Sequence, residues 1–124
     1  MARKVITNLE IAKSPAFSPA IQVGPMVYVS GAGAKDLTKD CKGQSEEVFT
    51  YISKVLEAAG CSFKDVVKIQ AFVAKQSDYQ AYNDVRRKIF PKDPPASTTV
   101  VAGLVRPEML VEVEVVAYKE GAKW

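Results

Sequence analysis

The clearest pattern in the chain is at its end, where Leu110-Val111-Glu112-Val113-Glu114-Val115-Val116-Ala117-Tyr118 alternates with a period of two. In a strand, Glu112 and Glu114 leave one face while Val111, Val113 and Val115 leave the other, a strand with one face on a core. Val66-Val67-Lys68-Ile69-Gln70-Ala71-Phe72-Val73 is rich in β-branched residues and predicts a second long strand, with Val67, Ile69, Ala71 and Val73 on one face. Thr98 to Ala102 predicts a strand before the glutamate strand, separated from it by a Val105-Arg106-Pro107-Glu108 turn. Near the start, Lys4 to Leu9 fits a peripheral strand, and two prolines make Ser14 to Ala20 an extended turn. Ile21-Gln22-Val23 and Met26 to Ser30, joined at Gly24-Pro25, predict a hairpin that ends in the small-residue loop Ser30-Gly31-Ala32-Gly33-Ala34.

Two segments carry helical periodicity instead. A helix is predicted from near Ser45, with Glu46 and Glu47 in its first turn, Val48, Tyr51, Ile52, Val55, Leu56 and Ala59 on one face, and Gly60 as its stop. A second helix runs to about Phe90 and stops at Pro91. Ser77 and Gln80 have the spacing of a capping box at its start. The order β-β-β-α-β-α-β-β predicts an α+β domain in which helices cover one face of a mixed sheet.

At 124 residues the whole chain, 1–124, is expected to be a single domain for which an oligomer interface would bury further apolar surface. No apolar run approaches the roughly 20 residues that span a membrane. The basic start Met1-Ala2-Arg3-Lys4 has no apolar segment of a signal peptide behind it, so a soluble, cytoplasmic protein with no membrane partner is expected. The net charge of +3 is modest. Its one cluster, Arg86-Arg87-Lys88 with Lys92 nearby, fits cations in the last turn of a helix better than a nucleic-acid footprint, so no nucleic-acid partner is expected.

The chain has no histidine, which excludes a Ser-His-Asp triad, a Cys-His pair and a histidine base. Cys41 and Cys61 are isolated and suggest neither zinc nor a disulfide. No metal and no cofactor are expected, and any chemistry falls to carboxylates, hydroxyls, amides and cations.

Glu112 and Glu114 share a surface. Spacing alone favours a solvated face, whereas Val116 beside them suggests partial cover, under which a glutamate could manage protons near neutrality. Thr98 and Thr99 are either ordinary strand residues or hydroxyls that hold a water, and the second reading needs Glu114 nearby. Ser30-Gly31-Ala32-Gly33 lacks the further glycine and the Gly-Lys-Ser/Thr of a phosphate loop, leaving amides that could line a pocket. Arg106 is a turn residue and a candidate anion contact. Phe17, Tyr28, Tyr79 and Tyr82 read as core or interface aromatics.

Taken in order, Phe17-Ser18-Pro19-Ala20, Val27-Tyr28-Val29-Ser30-Gly31, Val55-Leu56-Glu57-Ala58-Ala59-Gly60, Asp65-Val66-Val67-Lys68, Asp78 to Asn83, Pro95 to Leu104 and Val111-Glu112-Val113-Glu114 resemble the RidA/YjgF family along nearly the whole chain. The resemblance implies a chorismate-mutase-like fold, a barrel-like homotrimer, and small-molecule clefts between subunits where the family's deaminases hydrolyse imines and enamines. It implies that Glu114 and Thr99 hold the attacking water, and that Phe17, Ser30, Gly31, Ala32, Asn83, Ser97, Thr98 and Arg106 line the ligand site. The chain departs from that pattern twice. Ser97 stands where the deaminases carry an arginine that grips a substrate carboxylate, and Phe17 where a tyrosine is common. A serine cannot form the bidentate charged pair, so weak activity on 2-imino acids is expected. The alternative is a non-catalytic trimer that binds a metabolite or a protein. An endoribonuclease, the activity attached to some members, is disfavoured by the weak basic patch and the missing histidine.

Overall fold

A computed structural model describes residues 3–8, 11 and 14–121. Leu9, in the expected first strand, and the Met1-Ala2 end of the basic N-terminus lie outside the described residues. The strands are β1 (Lys4–Ile6), β2 (Ala20–Val23), β3 (Met26–Ala32), β4 (Val66–Val73), β5 (Ala96–Val101) and β6 (Val111–Tyr118), and the helices are α1 (Cys41–Ala58) and α2 (Tyr79–Ile89). They form one six-stranded sheet in the order β1-β2-β3-β6-β4-β5. All pairings are antiparallel except β4 with β5, whose parallel pairing is spanned by α2. No helix of the described residues is long and apolar enough to cross a membrane.

Both helices lie on one face, as the alternation in β6 predicts. Val111, Val113, Val115 and Ala117 are buried there with Val27 and Val29 of β3 and Ile69, Ala71 and Val73 of β4. Facing them, α1 presents Val48, Phe49, Ile52, Val55 and Leu56, all buried, and α2 adds Tyr82 and Val85. Phe49 stacks on Tyr82 and meets Phe63 and Phe90 edge-on, which locks the two helices together.

Three local features differ from the sequence expectation. Helix α1 starts at Cys41, not near Ser45, because Asp40 supplies the cap: its carboxylate accepts from the Gly43 amide at 2.9 Å. Glu46 and Glu47 therefore sit in its second turn. The buried Gln44 side chain donates to the carbonyls of Lys39 and Glu108 and accepts from the Leu110 amide, tying this helix start to the entrance of β6. At the other end Gly60 takes φ +78° and Cys61 donates to the Leu56 carbonyl, the left-handed stop expected there. In β4 a bulge between Val66 and Lys68 leaves Val67 46% exposed, so Val66 takes the inward place assigned to Val67. The Ser77–Gln80 capping box does not form. Gln76–Asp78 is a 3-10 turn, and Gln80 instead donates to Asp84 at 2.7 Å one turn on.

Candidate functional site

The strand order splits the expected site residues between two faces. Glu112 pairs with Phe72 and Glu114 with Gln70, all on the face without helices. There β3 carries a bulge between Val29 and Ala32, which puts Ser30 and Gly31 beside the glutamates and turns Ala32 into the core against Val113. Ser30 anchors the preceding segment, its hydroxyl donating to the Ser18 carbonyl at 2.5 Å and its amide to the Pro19 carbonyl at 2.9 Å. Phe17, 57% exposed, is thereby held at the rim. Gly31 permits a close approach, since a Cβ there would collide with the Glu112 carboxylate.

The result is an open cleft of about 590 Å³ that gathers Phe17, Ser30, Gly31, Arg106, Met109 and Glu112. Four residues predicted from the sequence meet here, with Glu112 as the carboxylate. Ala32 does not line it, and Glu114, two residues along the same face, is exposed. Among the described residues nothing supplies Glu114 with the cover suggested by Val116.

A second cleft, about 860 Å³, lies at the other side of the sheet between α2, the Pro91 to Pro95 segment and β5, and it holds Asn83 and Ser97. Ser97 pairs with Ile69 and Thr99 with Ala71, both buried under the helices, so Ser97 and Thr99 point to the helix side. Thr98 pairs with Gln70, points to the open side, and accepts from Lys68 Nζ at 3.2 Å. Strand β4 separates β5 from β6, and Thr99 aligns through Ala71 with Val113, so within one chain Thr99 and Glu114 lie on opposite faces of the sheet.

Sequence reasoning assigned Arg86 only to the end of a helix, yet it is the organising side chain of this second cleft. Its guanidinium donates to Ser97 Oγ at 2.8 Å, to the Tyr79 hydroxyl at 3.1 Å and to Asn83 Oδ1, and it lies 5.3 Å from the Tyr82 ring centre. The available signal was spacing: Tyr79, Tyr82, Asn83 and Arg86 succeed one another at helical intervals on a single face. Burial pushes the Tyr82 phenol up to about 12, against the opposing pull of Arg86. Burial also pushes the thiols of Cys41 and Cys61 up, which disfavours the reactive thiolate.

Residues 7–119 match the family profile described as Endoribonuclease L-PSP. A RutC family protein of Pyrococcus abyssi is 34% identical over 128 residues, covering 97% of this chain and all of that protein. Among solved structures, Rv2704 of Mycobacterium tuberculosis, described as a member of the YjgF/YER057c/UK114 family, is 28% identical with a TM-score of 0.81 over 94% of this chain and 99% of its own. PA3499 of Pseudomonas aeruginosa, described as of unknown function, is 29% identical with a TM-score of 0.88 over 96% and 94%. With its sheet, its two helices and its sequence all in agreement, the chain belongs to the RidA/YjgF family.

Proposed function

We propose that this chain is a cofactor-independent hydrolase of small imines, enamines or related C=N metabolites, working in clefts formed between copies of itself as a homotrimer. The observation that carries this reading is the division of the site. Glu112, Glu114, Phe17, Ser30 and Gly31 lie on the open face of the sheet, while Asn83, Ser97 and Thr99 lie on the helix side at its β5 edge. One chain cannot close these halves on each other, but the open face of one copy can meet the β5 edge of the next. Tyr28 and Val100, 48% and 42% exposed on the open face, are apolar surface suited to such a contact.

In the assembled cleft, Glu114 of one copy accepts a proton from water while the Thr99 hydroxyl of the next orients it. The oxygen attacks the C=N carbon and the nitrogen takes up the proton. The resulting amino alcohol collapses to a carbonyl and releases ammonia. An imine is electrophilic enough that positioning and one proton acceptor suffice.

The competing reading, a non-catalytic trimer that binds a metabolite or a protein, is favoured by the exposure of Glu114 in the single chain. Ammonia release from freshly generated 2-iminopropionate and from a carboxylate-free imine separates the two. Hydrolysis predicts release by wild type with at least one imine and a loss of about 100-fold or more in Glu114→Gln. Release no faster than the buffer reaction with either substrate would sink the hydrolase and leave the binder.

A further inference from the structure

We propose that Arg86, carried by α2, is the cation that receives a small carboxylate ligand in the cleft between α2 and β5, with Ser97 as its positioning residue. The inference rests on the proposed function only in taking this cleft as part of the ligand site. A terminal-turn arginine ordinarily sweeps through solvent. This one is held by three neutral acceptors, Ser97 Oγ, the Tyr79 hydroxyl and Asn83 Oδ1, and lies against the face of the buried Tyr82 ring. Among the described residues no carboxylate pairs with it. Of its five N–H groups, the three hydrogen bonds leave two for a ligand. A fixed, uncompensated guanidinium with spare donors has the form of an anion receptor.

The surroundings narrow the anion. Lys42, Arg87 and Lys88 line the same cleft, whose one acidic side chain, Asp84, is held by Gln80, so the field there is positive. Its remaining wall is apolar, built from Ala81, Phe90 and the prolines 91, 94 and 95. A fixed planar cation beside such a wall suits a carboxylate on a short apolar body. An arginine at position 97 would bring its cation to this cleft from β5. Here the strand contributes a hydroxyl and the helix contributes the charge. Such a receptor runs against the weak activity on 2-imino acids expected from Ser97 alone.

Calorimetric titration with pyruvate, with its neutral methyl ester and with inorganic phosphate tests this on the intact protein. Wild type should bind pyruvate at least tenfold more tightly than either other probe. Arg86→Gln should lose at least tenfold, Arg86→Lys should fall between, and Arg86→Gln combined with Ser97→Arg should regain most of the affinity. Lys4→Gln, the same change in charge on β1 at the opposite edge of the sheet from β5, should bind as wild type. The proposal is overturned if folded Arg86→Gln keeps its affinity, if the ester or phosphate binds as well as pyruvate, if wild type does not bind pyruvate, or if the paired substitution fails to rescue. Arg86-dependent pyruvate binding without ammonia release would defeat the hydrolase alone, whereas ammonia release indifferent to Arg86 would defeat this inference alone.

Discussion

The two faces of the sheet are built to different standards. The helix side is a closed core, in which Val27, Ile69, Ala71, Val111, Val113 and Ala117 have no exposed surface and the aromatic cluster around Phe49 fills the space beneath the helices. The open side carries Tyr28, Val116, Phe72 and Val100 interleaved with Glu112, Glu114 and Gln70, and among the described residues no helix packs over it. The first face holds the buried core. The second has the mixture of aromatic, aliphatic and polar groups that interfaces use, and the candidate catalytic carboxylates lie within it.

The largest expected effect separates these roles. Phe49→Ala removes a fully buried ring and should cost about 3–5 kcal/mol in urea denaturation, by the same amount at every protein concentration. Tyr28→Ala should cost under about 0.5 kcal/mol if the face is merely solvated. If copies assemble through it, the loss should be larger where wild type is assembled and shrink toward that value as dilution takes wild type apart too, with a smaller particle for the variant in light scattering. A concentration-independent loss at Tyr28 as large as that at Phe49 would erase the distinction.

A smaller effect comes from the polar defect in the closed face. The Tyr82 hydroxyl is buried and makes no hydrogen bond among the described residues. Its folded pKa, about 12, exceeds the unfolded value of about 10. Between those values the unfolded chain gives up the proton first, so the native state holds more protons and stability falls as pH rises. The stability is intact below pH 10, and about 2–3 kcal/mol is lost by pH 12. Tyr82→Phe should flatten that alkaline limb in a pH series of denaturation midpoints and be no less stable at neutral pH, because it removes an unpaired buried hydroxyl. An unchanged limb would mean that other groups carry the alkaline loss.

The difference between the faces also governs what could be read from sequence. The core side was legible in outline, since alternation in β6 and helical spacing in α1 record local burial directly. Positions at Val67 and Ala32 misled because one extra residue in each bulge moves the rest of the strand to the other face, and single-residue bulges leave no mark in a period-two pattern. The family resemblance put Thr99 with Glu114, on strands β5 and β6 that are consecutive in the sequence. Sheet order is decided by long-range packing, which inserts β4 between them. Arg86 was overlooked because the helix dipole sufficiently explained a cation there. Its contact with Ser97 depends on the parallel register of β5, which no local pattern encodes.

The smallest effect tests whether the helix side can be weakened without disturbing the open one. Asp40 caps α1, accepting from the Gly43 amide and placing a negative charge at the positive end of an 18-residue helix. Asp40→Ala leaves that amide to water and should lower stability by about 1 kcal/mol. The fraying should stop within the first turn, because Gln44 holds the backbone at Lys39, Glu108 and Leu110 independently of the cap. The urea midpoint should therefore fall with no change in slope, and particle size should stay as in wild type. Asp40→Asn, which keeps the acceptor and removes the charge, should recover more than half of the loss. If Asp40→Ala also altered assembly, the covering helix would be coupled to the interface, and the two faces would not be independent.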